Sequence, residues 1–270
     1  MSGRLDIMRF RDWARPVPPV RREILSALPQ TDDGRPPLLF VPGFGHGAWV
    51  FAENWLGHAA GRGFPAYAVS LRGHGGSGSA PGADLRAYAH DVVQAAAGLP
   101  RRAVLVGHGA GALVVEHALA RYPARAAVLV APVLGGWDTL GTALRRNPGG
   151  TLPAVFGGAL RFDRRQRFSR ELPAEAADAY LARMGRASRR AQWQLLDRPA
   201  AQPPVGEPPV LVVGSPDDRI VPPAALARAA RRHASAPLLF PGMGHDLMLD
   251  AGWYEPIEAV LDWLDKEGTA

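Results

Sequence analysis

Short apolar runs recur along this chain at the spacing expected of a layered α/β protein. LLFVP at 38–42, PAYAVS at 65–70, RAVLVG at 102–107, AAVLVAP at 126–132, PVLVVG at 209–214 and PLLF at 237–240 are apolar at nearly every position. Runs of that kind, bounded by Gly or Pro, suit strands buried on both faces. Between them lie stretches with helical periodicity, at about 49–60, 84–98, 110–121, 222–233 and 253–266. Strands alternating with helices predict a mostly parallel central sheet covered on both faces.

The rhythm breaks after residue 133. From 134 to 205 the chain is rich in Arg, Gly and Pro, with helical pieces such as AEAADAYLARMGRASRRAQWQLL and no clear strand. The expected organisation is therefore a sheet domain in two parts, 1–133 and 206–270, interrupted by a helical cap or lid at 134–205. Within the first 37 residues, LDIMRF and RREILSAL are expected to form an antiparallel edge pair.

Composition narrows the class. With 270 residues, 47% of them hydrophobic and 21% charged, the chain can bury a sizeable core and has the balance of a globular protein. It has no cysteine, which removes disulfides, thiolate nucleophiles and cysteine-ligated zinc. The charged, proline-broken N-terminus lacks the apolar run of a secretory signal, and no stretch is long and apolar enough for a membrane span. A cytoplasmic location is expected. The net charge is +6, and residues 134–205, with twelve Arg against six Asp or Glu, carry all of it. That excess reads as a solvated face, or as attraction for anionic substrates or a phospholipid surface. No nucleic-acid motif accompanies the arginines.

In an open parallel sheet, ligands sit beyond the carboxyl ends of the strands. Four segments there carry candidate chemistry. FVPGFGHGAW at 40–49 could present backbone N–H groups to a ligand. GHGAG at 107–111 sits in a strand–turn–helix context. As a dinucleotide fingerprint, Gly107, Gly109 and Ala112 have the right spacing. The acidic residue such a site needs is missing from the end of the next strand, VLVAPV. VGSPDDRIVP at 213–222 could aim a carboxylate, or simply cap a helix through Asp217 or Asp218. LFPGMGHDLML at 239–249 places His245 in a glycine loop after the last strand.

A strand followed by G-x-S-x-G and a helix is the nucleophile elbow of α/β-hydrolases, and the order GHGAG turn, acid, histidine matches the order of their catalytic groups. Over residues 36–266 the chain resembles that superfamily, particularly its lysophospholipase-like and monoacylglycerol-lipase-like esterases. SLRGHGGSG at 70–78 matches a loop they carry after the second core strand. The resemblance implies the α/β-hydrolase fold, Asp218 as the acid, His245 as the base, and Phe44 and Ala110 as donors of the oxyanion-hole N–H groups. It also implies that the insertion covers the site, where Trp137, Phe156, Phe162, Phe168, Tyr180 and Trp193 could line an apolar pocket. Two positions depart from the family. Pro42 stands where His is common, and Gly109 stands where the nucleophilic serine belongs.

A glycine there relieves the backbone strain of the elbow and deletes the covalent route. Three readings follow. The favoured one is a small-molecule enzyme using a His245–Asp218 general base and a backbone oxyanion hole without an acyl-enzyme, for direct hydrolysis, lyase or isomerase chemistry. The second is a non-catalytic pseudohydrolase or ligand-binding module. The third is a serine esterase or lysophospholipase whose nucleophile has been exchanged for Gly109. In each the partner is a small molecule, acyl or anionic in character. No cofactor or metal is expected.

Overall fold

β-branched and leucine-rich runs become strands where both of their faces can be covered. The computed structural model describes residues 16–135, 141, 144–145, 148–149, 151, 161–196 and 201–267. Its strands are β1 (Ile24–Ala27), β2 (Leu38–Val41), β3 (Ala66–Val69), β4 (Val104–His108), β5 (Ala126–Val130), β6 (Val210–Gly214) and β7 (Leu238–Leu239). Its helices are α1 (Trp49–Ala52), α2 (Trp55–Gly61), α3 (Leu85–Ala97), α4 (Ala110–Leu119), α5 (Arg164–Arg167), α6 (Ala174–Ala182), α7 (Arg189–Leu196), α8 (Pro223–Arg232) and α9 (Tyr254–Lys266).

The strands form one sheet in the order β1-β3-β2-β4-β5-β6-β7, and every pairing is parallel except β1 with β3. Side chains alternate between two cores, as the two-residue period of a strand requires. Leu38, Phe40, Val104, Val106, Val128 and Val213 face α1, α2 and α9. Leu39, Val41, Leu105, Leu129 and Val212 face α3, α4 and α8. Full burial of each such side chain contributes roughly 1.5–3 kcal/mol. This is the mostly parallel, doubly covered sheet of an α/β-hydrolase fold.

The direction of strand addition reverses between β2 and β4, since the chain runs from β2 outward to β3 and then back past β2 to β4. A crevice opens at such a switch point. It lies between the FVPGFG loop and the GHGAG turn.

Three details differ from the sequence pattern. The helix expected over 49–60 is two helices. Asn54 leaves the helical conformation at φ −136°, and its side-chain amide donates instead to the Met248 carbonyl, 3.0 Å away. The last strand shrinks to two exposed residues pairing with Val213 and Gly214. At the other edge, RREILSAL supplies β1, which pairs with β3. Its expected partner LDIMRF lies outside the described residues.

The β5–β6 connection contains α5, α6 and α7 and, among its described residues, no strand. Phe168 and Ala177 pack into the α1/α2/α9 core and Ala191 into the opposite one. No helix among the described residues is long and apolar enough to cross a membrane.

Candidate active site

The elbow owes its shape to three glycines at alternate positions. Gly109 stands between β4 and α4 with φ 55° and ψ −123°, a backbone state that L side chains rarely adopt. Gly107 and Gly111 permit close packing. A Cβ on Gly107 would lie 2.7 Å from Ala112 Cα, and one on Gly111 would lie 2.5 Å from the carbonyl oxygens of Val41 and Pro42. α4 can therefore start immediately after the turn, against β2, with the Gly109 N–H tied to the Val130 carbonyl at 2.9 Å.

The His245–Asp218 pair comes from the far side of the sheet. Asp218, four residues beyond β6, is buried. Its Oδ1 accepts from the N–H groups of Ile220 (2.6 Å) and Val221 (3.0 Å), and its Oδ2 lies 2.8 Å from His245 Nδ1. One oxygen thus holds the loop before α8 and the other faces the histidine, while α8 itself starts after Pro222 with no side-chain cap, so the helix-capping alternative is not what Asp218 does. Asp217 is separate. It accepts from the Gly242 N–H at 2.7 Å and clips the acid loop to the histidine loop.

With Nδ1 facing Asp218, His245 turns Nε2 toward the elbow. An ideal Cβ on Gly109 would stand 3.2 Å from that nitrogen and 3.8 Å from Gly43 Cα. The structure thus brings together Gly109, His245, Asp218 and the glycine loop after β2. Burial alone would lower the His245 pKa. The charge and hydrogen bond of Asp218, with Asp246 behind them, outweigh it and leave the pKa raised above 6.5, while Arg167 opposes them.

The loop after β2 is a tight turn, with the His46 N–H bonded to the Gly43 carbonyl at 3.1 Å and Gly45 at φ 84°. Phe44 heads the turn, half-buried, its ring 5.4 Å from Tyr88 and 6.3 Å from His74. Ala110 opens α4. Among the described residues neither the Phe44 N–H nor the Ala110 N–H has an acceptor. The loop is braced from the edge of the sheet: Glu23 accepts from Ser70 Oγ at 2.5 Å, and Ser70 Oγ accepts from the Ala48 N–H at 2.7 Å.

A second polar cluster lies behind His245, which sequence reasoning missed. Asp246 Oδ2 is 3.2 Å from His46 Nε2 and 3.1 Å from Arg167 Nη1, and its Oδ1 is 3.5 Å from His108 Nε2. His108 Nε2 also donates to the His245 carbonyl at 3.1 Å. All four side chains are buried. Burial favours a neutral Asp246, yet His46 and the Arg167 guanidinium hold its carboxyl well below the usual range. Burial lowers the pKa of His46, and lowers that of His108 further, with Asp246 opposing both. Arg167 is then the lasting positive charge.

His46, His108 and Asp246 offer three ligand atoms within 4.8 Å of one another. Arg167 Nη1 sits 3.0 Å from one of those atoms and 3.1 Å from another. A metal there would meet a resident cation, so the donor set fits a buried ion pair better than a metal. The only sequence signal was three histidines beside glycines at strand ends. Nothing local linked them to Arg167.

The aromatic residues of the connection have different surroundings. Phe168 is core, Tyr180 packs on Trp49 (6.1 Å), Phe162 lies under the Arg167 guanidinium (5.5 Å), and Trp193 is 46% exposed. Trp137 and Phe156 lie outside the described residues.

Comparison with known proteins gives the same architecture. Among solved structures, a soluble variant of the monoglyceride lipase of Saccharomyces cerevisiae superposes with a TM-score of 0.74 at 16% identity, covering 92% of this chain and 91% of that one. The monoacylglycerol lipase of Paleococcus ferrophilus gives 0.68 at 19%, covering 91% and 98%. A thermophilic esterase from Thermogutta terrifontis, with malate bound, gives 0.68 at 20%, covering 92% and 94%. At these identities the likeness is one of fold. No curated protein matches the sequence. The sequence profile of the alpha/beta hydrolase family matches residues 38–263, and the chain belongs to that family.

Proposed function

We propose that the protein is a small-molecule enzyme of hydrolase type, in which His245, held by Asp218, serves as general base and no acyl-enzyme forms. One observation carries this reading. His245 Nε2 lies 3.2 Å from the point where a side chain on residue 109 would begin, so a water taking the place of a serine hydroxyl comes within reach of the base.

In the simplest reaction, water transfers a proton to Nε2 as its oxygen bonds to an ester carbonyl carbon. The tetrahedral oxyanion takes the Phe44 and Ala110 N–H groups. Its collapse breaks the bond to the alkoxide, which recovers the proton from His245, and the acid product then ionises. General-base catalysis supplies about 10²–10⁴-fold and an oxyanion donor about 10²–10³-fold. Slow turnover without a covalent step is within that range. The same base and N–H groups would serve an enolate in lyase or isomerase chemistry.

Residues 134–205 act in this reading as a cap over the core formed by 1–133 and 206–270. Supporting contacts reach both catalytic loops: the Gly185 N–H bonds the Gly45 carbonyl at 2.7 Å, the Asp246 N–H bonds the Arg167 carbonyl at 2.9 Å, and Ser169 Oγ donates to Asp250 at 2.6 Å. The substrate is acyl or anionic, and the location cytoplasmic.

The second reading, a ligand-binding protein without turnover, is favoured by Gly109 itself. Hydrolysis of p-nitrophenyl butyrate decides between them. Turnover without a burst of p-nitrophenol, falling about 10²–10⁴-fold in His245→Ala, is expected. Equal rates in wild type and a folded His245→Ala variant would leave only the binding reading.

A further inference from the structure

We infer that the elbow is a receptor for a carboxylate anion, one oxygen bonded to His245 Nε2 and the other to the N–H groups of Phe44 and Ala110. The inference rests on the same His245–Asp218 pair facing residue 109, but not on turnover.

The chemistry follows from what glycine leaves out. When a serine oxygen adds to an ester, the attacking oxygen and the oxyanion end on the same carbon, one beside the histidine and one in the oxyanion hole. A carboxylate already carries two oxygens on one carbon. A serine hydroxyl would stand in the place of the first, whereas Gly109 leaves that place to the ligand.

Three observations on separate elements support the site. The His245 side chain is 5% exposed, and its Nε2, aimed at residue 109, has no hydrogen-bond partner among the described residues. α4 is ten residues long and starts directly after Gly109 with no side-chain cap, so the positive end of its dipole lies at the same turn, and the Ala110 N–H has no acceptor among the described residues. Phe44 follows Gly43, whose Cα is 3.8 Å from the ideal Cβ, and its N–H has no acceptor among the described residues.

The charges around the imidazole suit an anion held by a protonated ring. Asp218 comes from the β6–α8 loop and Asp246 from the β7–α9 loop. Arg167 comes from α5, while His46 and His108 lie on the β2–α1 loop and β4. Burial lowers the pKa of both histidines, against the pull of Asp246. Arg167 offsets Asp246, which leaves Asp218 to stabilise a charged His245. Direct hydrolysis would end in this state, with the proton on His245 and the product acid ionised beside it.

The test titrates sodium butyrate into the full chain while the His245 imidazole is followed by carbon–proton NMR. Butyrate is expected to saturate the site and raise the His245 pKa. Its affinity should fall about tenfold per pH unit once the ring loses its proton, and butyramide should bind at least tenfold more weakly. Gly109→Ser should cost tenfold or more in butyrate affinity. Should that variant fail to fold, His245→Gln is the alternative, expected to abolish the pH dependence. Affinity unchanged between pH 6 and 9, or retained in folded Gly109→Ser, overturns the inference. Butyrate binding without ester turnover leaves it standing and ends the general-base reading. Ester turnover without butyrate binding does the opposite.

Discussion

In the proposed reading, Gly109 keeps the backbone turn of a nucleophile elbow and lacks the hydroxyl that a serine there would present. A side chain at φ 55° costs of order 1–3 kcal/mol, so Gly109→Ser should lower the melting temperature in calorimetry. The same change places Cβ 3.2 Å from His245 Nε2, close enough for a serine hydroxyl to bond it. Gly109→Ser is therefore expected to show burst-phase hydrolysis of p-nitrophenyl esters well above the wild-type rate. A well-folded variant with no gain would count against the oxyanion geometry proposed for Phe44 and Ala110. The pH profile has a definite sign. A base acts when neutral, so wild-type turnover should rise as pH climbs through the elevated His245 pKa, above 6.5. The stabilisation from the Asp218 pairing runs the other way. It is complete below about 6.5 and is lost as pH rises through the folded value. Gly109, Asp218 and His245 were legible because each follows a strand at short range. His46, Arg167 and Asp246 were not, since their meeting is a property of three loops and no periodicity encodes it.

At the scale of elements, the β5–β6 connection and the β7–α9 loop are joined through Arg167. Its guanidinium faces a fully buried Asp246 carboxylate, while its carbonyl accepts from the Asp246 N–H at 2.9 Å. Arg167→Met leaves that carboxylate without a permanent cation, and breaking a buried pair from one side costs about 3–5 kcal/mol. Urea unfolding should show a loss of that order. In the variant that remains folded, His245 should titrate at higher pH, because the charge opposing Asp218 and Asp246 has gone. Unchanged titration by NMR would mean that Arg167 does not act on the base. Element boundaries were less legible than element types. The break at Asn54 depends on the Met248 carbonyl, nearly two hundred residues away. β7, at the edge of the sheet, keeps only Leu238 and Leu239 of the apolar run.

For the whole molecule, the mostly parallel sheet was readable because its strands are apolar on both faces, a pattern that few architectures satisfy. The charge excess was legible in amount but not in arrangement. Arg183 pairs with Glu53 on the α1–α2 turn, Arg190 with Asp84 at 3.2 Å, and Arg164 with Asp178 at 3.7 Å. Part of the surplus therefore fastens the connection to the sheet domain. Acid should undo the structure from within. The depressed Asp246 pKa contributes stability that is whole above about 4 and is lost as pH falls through the folded value. Melting temperature should drop steeply there, and less steeply in Asp246→Asn. Equal slopes would place the acid sensitivity elsewhere.

Gly244 crosses directly beneath the α5 segment, where a Cβ would lie 2.6 Å from Phe168 Cα, and its N–H bonds Asp250, which also holds Ser169. Those partners stand some eighty positions apart in the chain. During synthesis, residues 161–196 leave the ribosome well before the strand and loop that receive them. Phe168 and the Arg167 charge must wait in water until residues 244–250 emerge, so a segment translated some eighty positions later completes their surroundings.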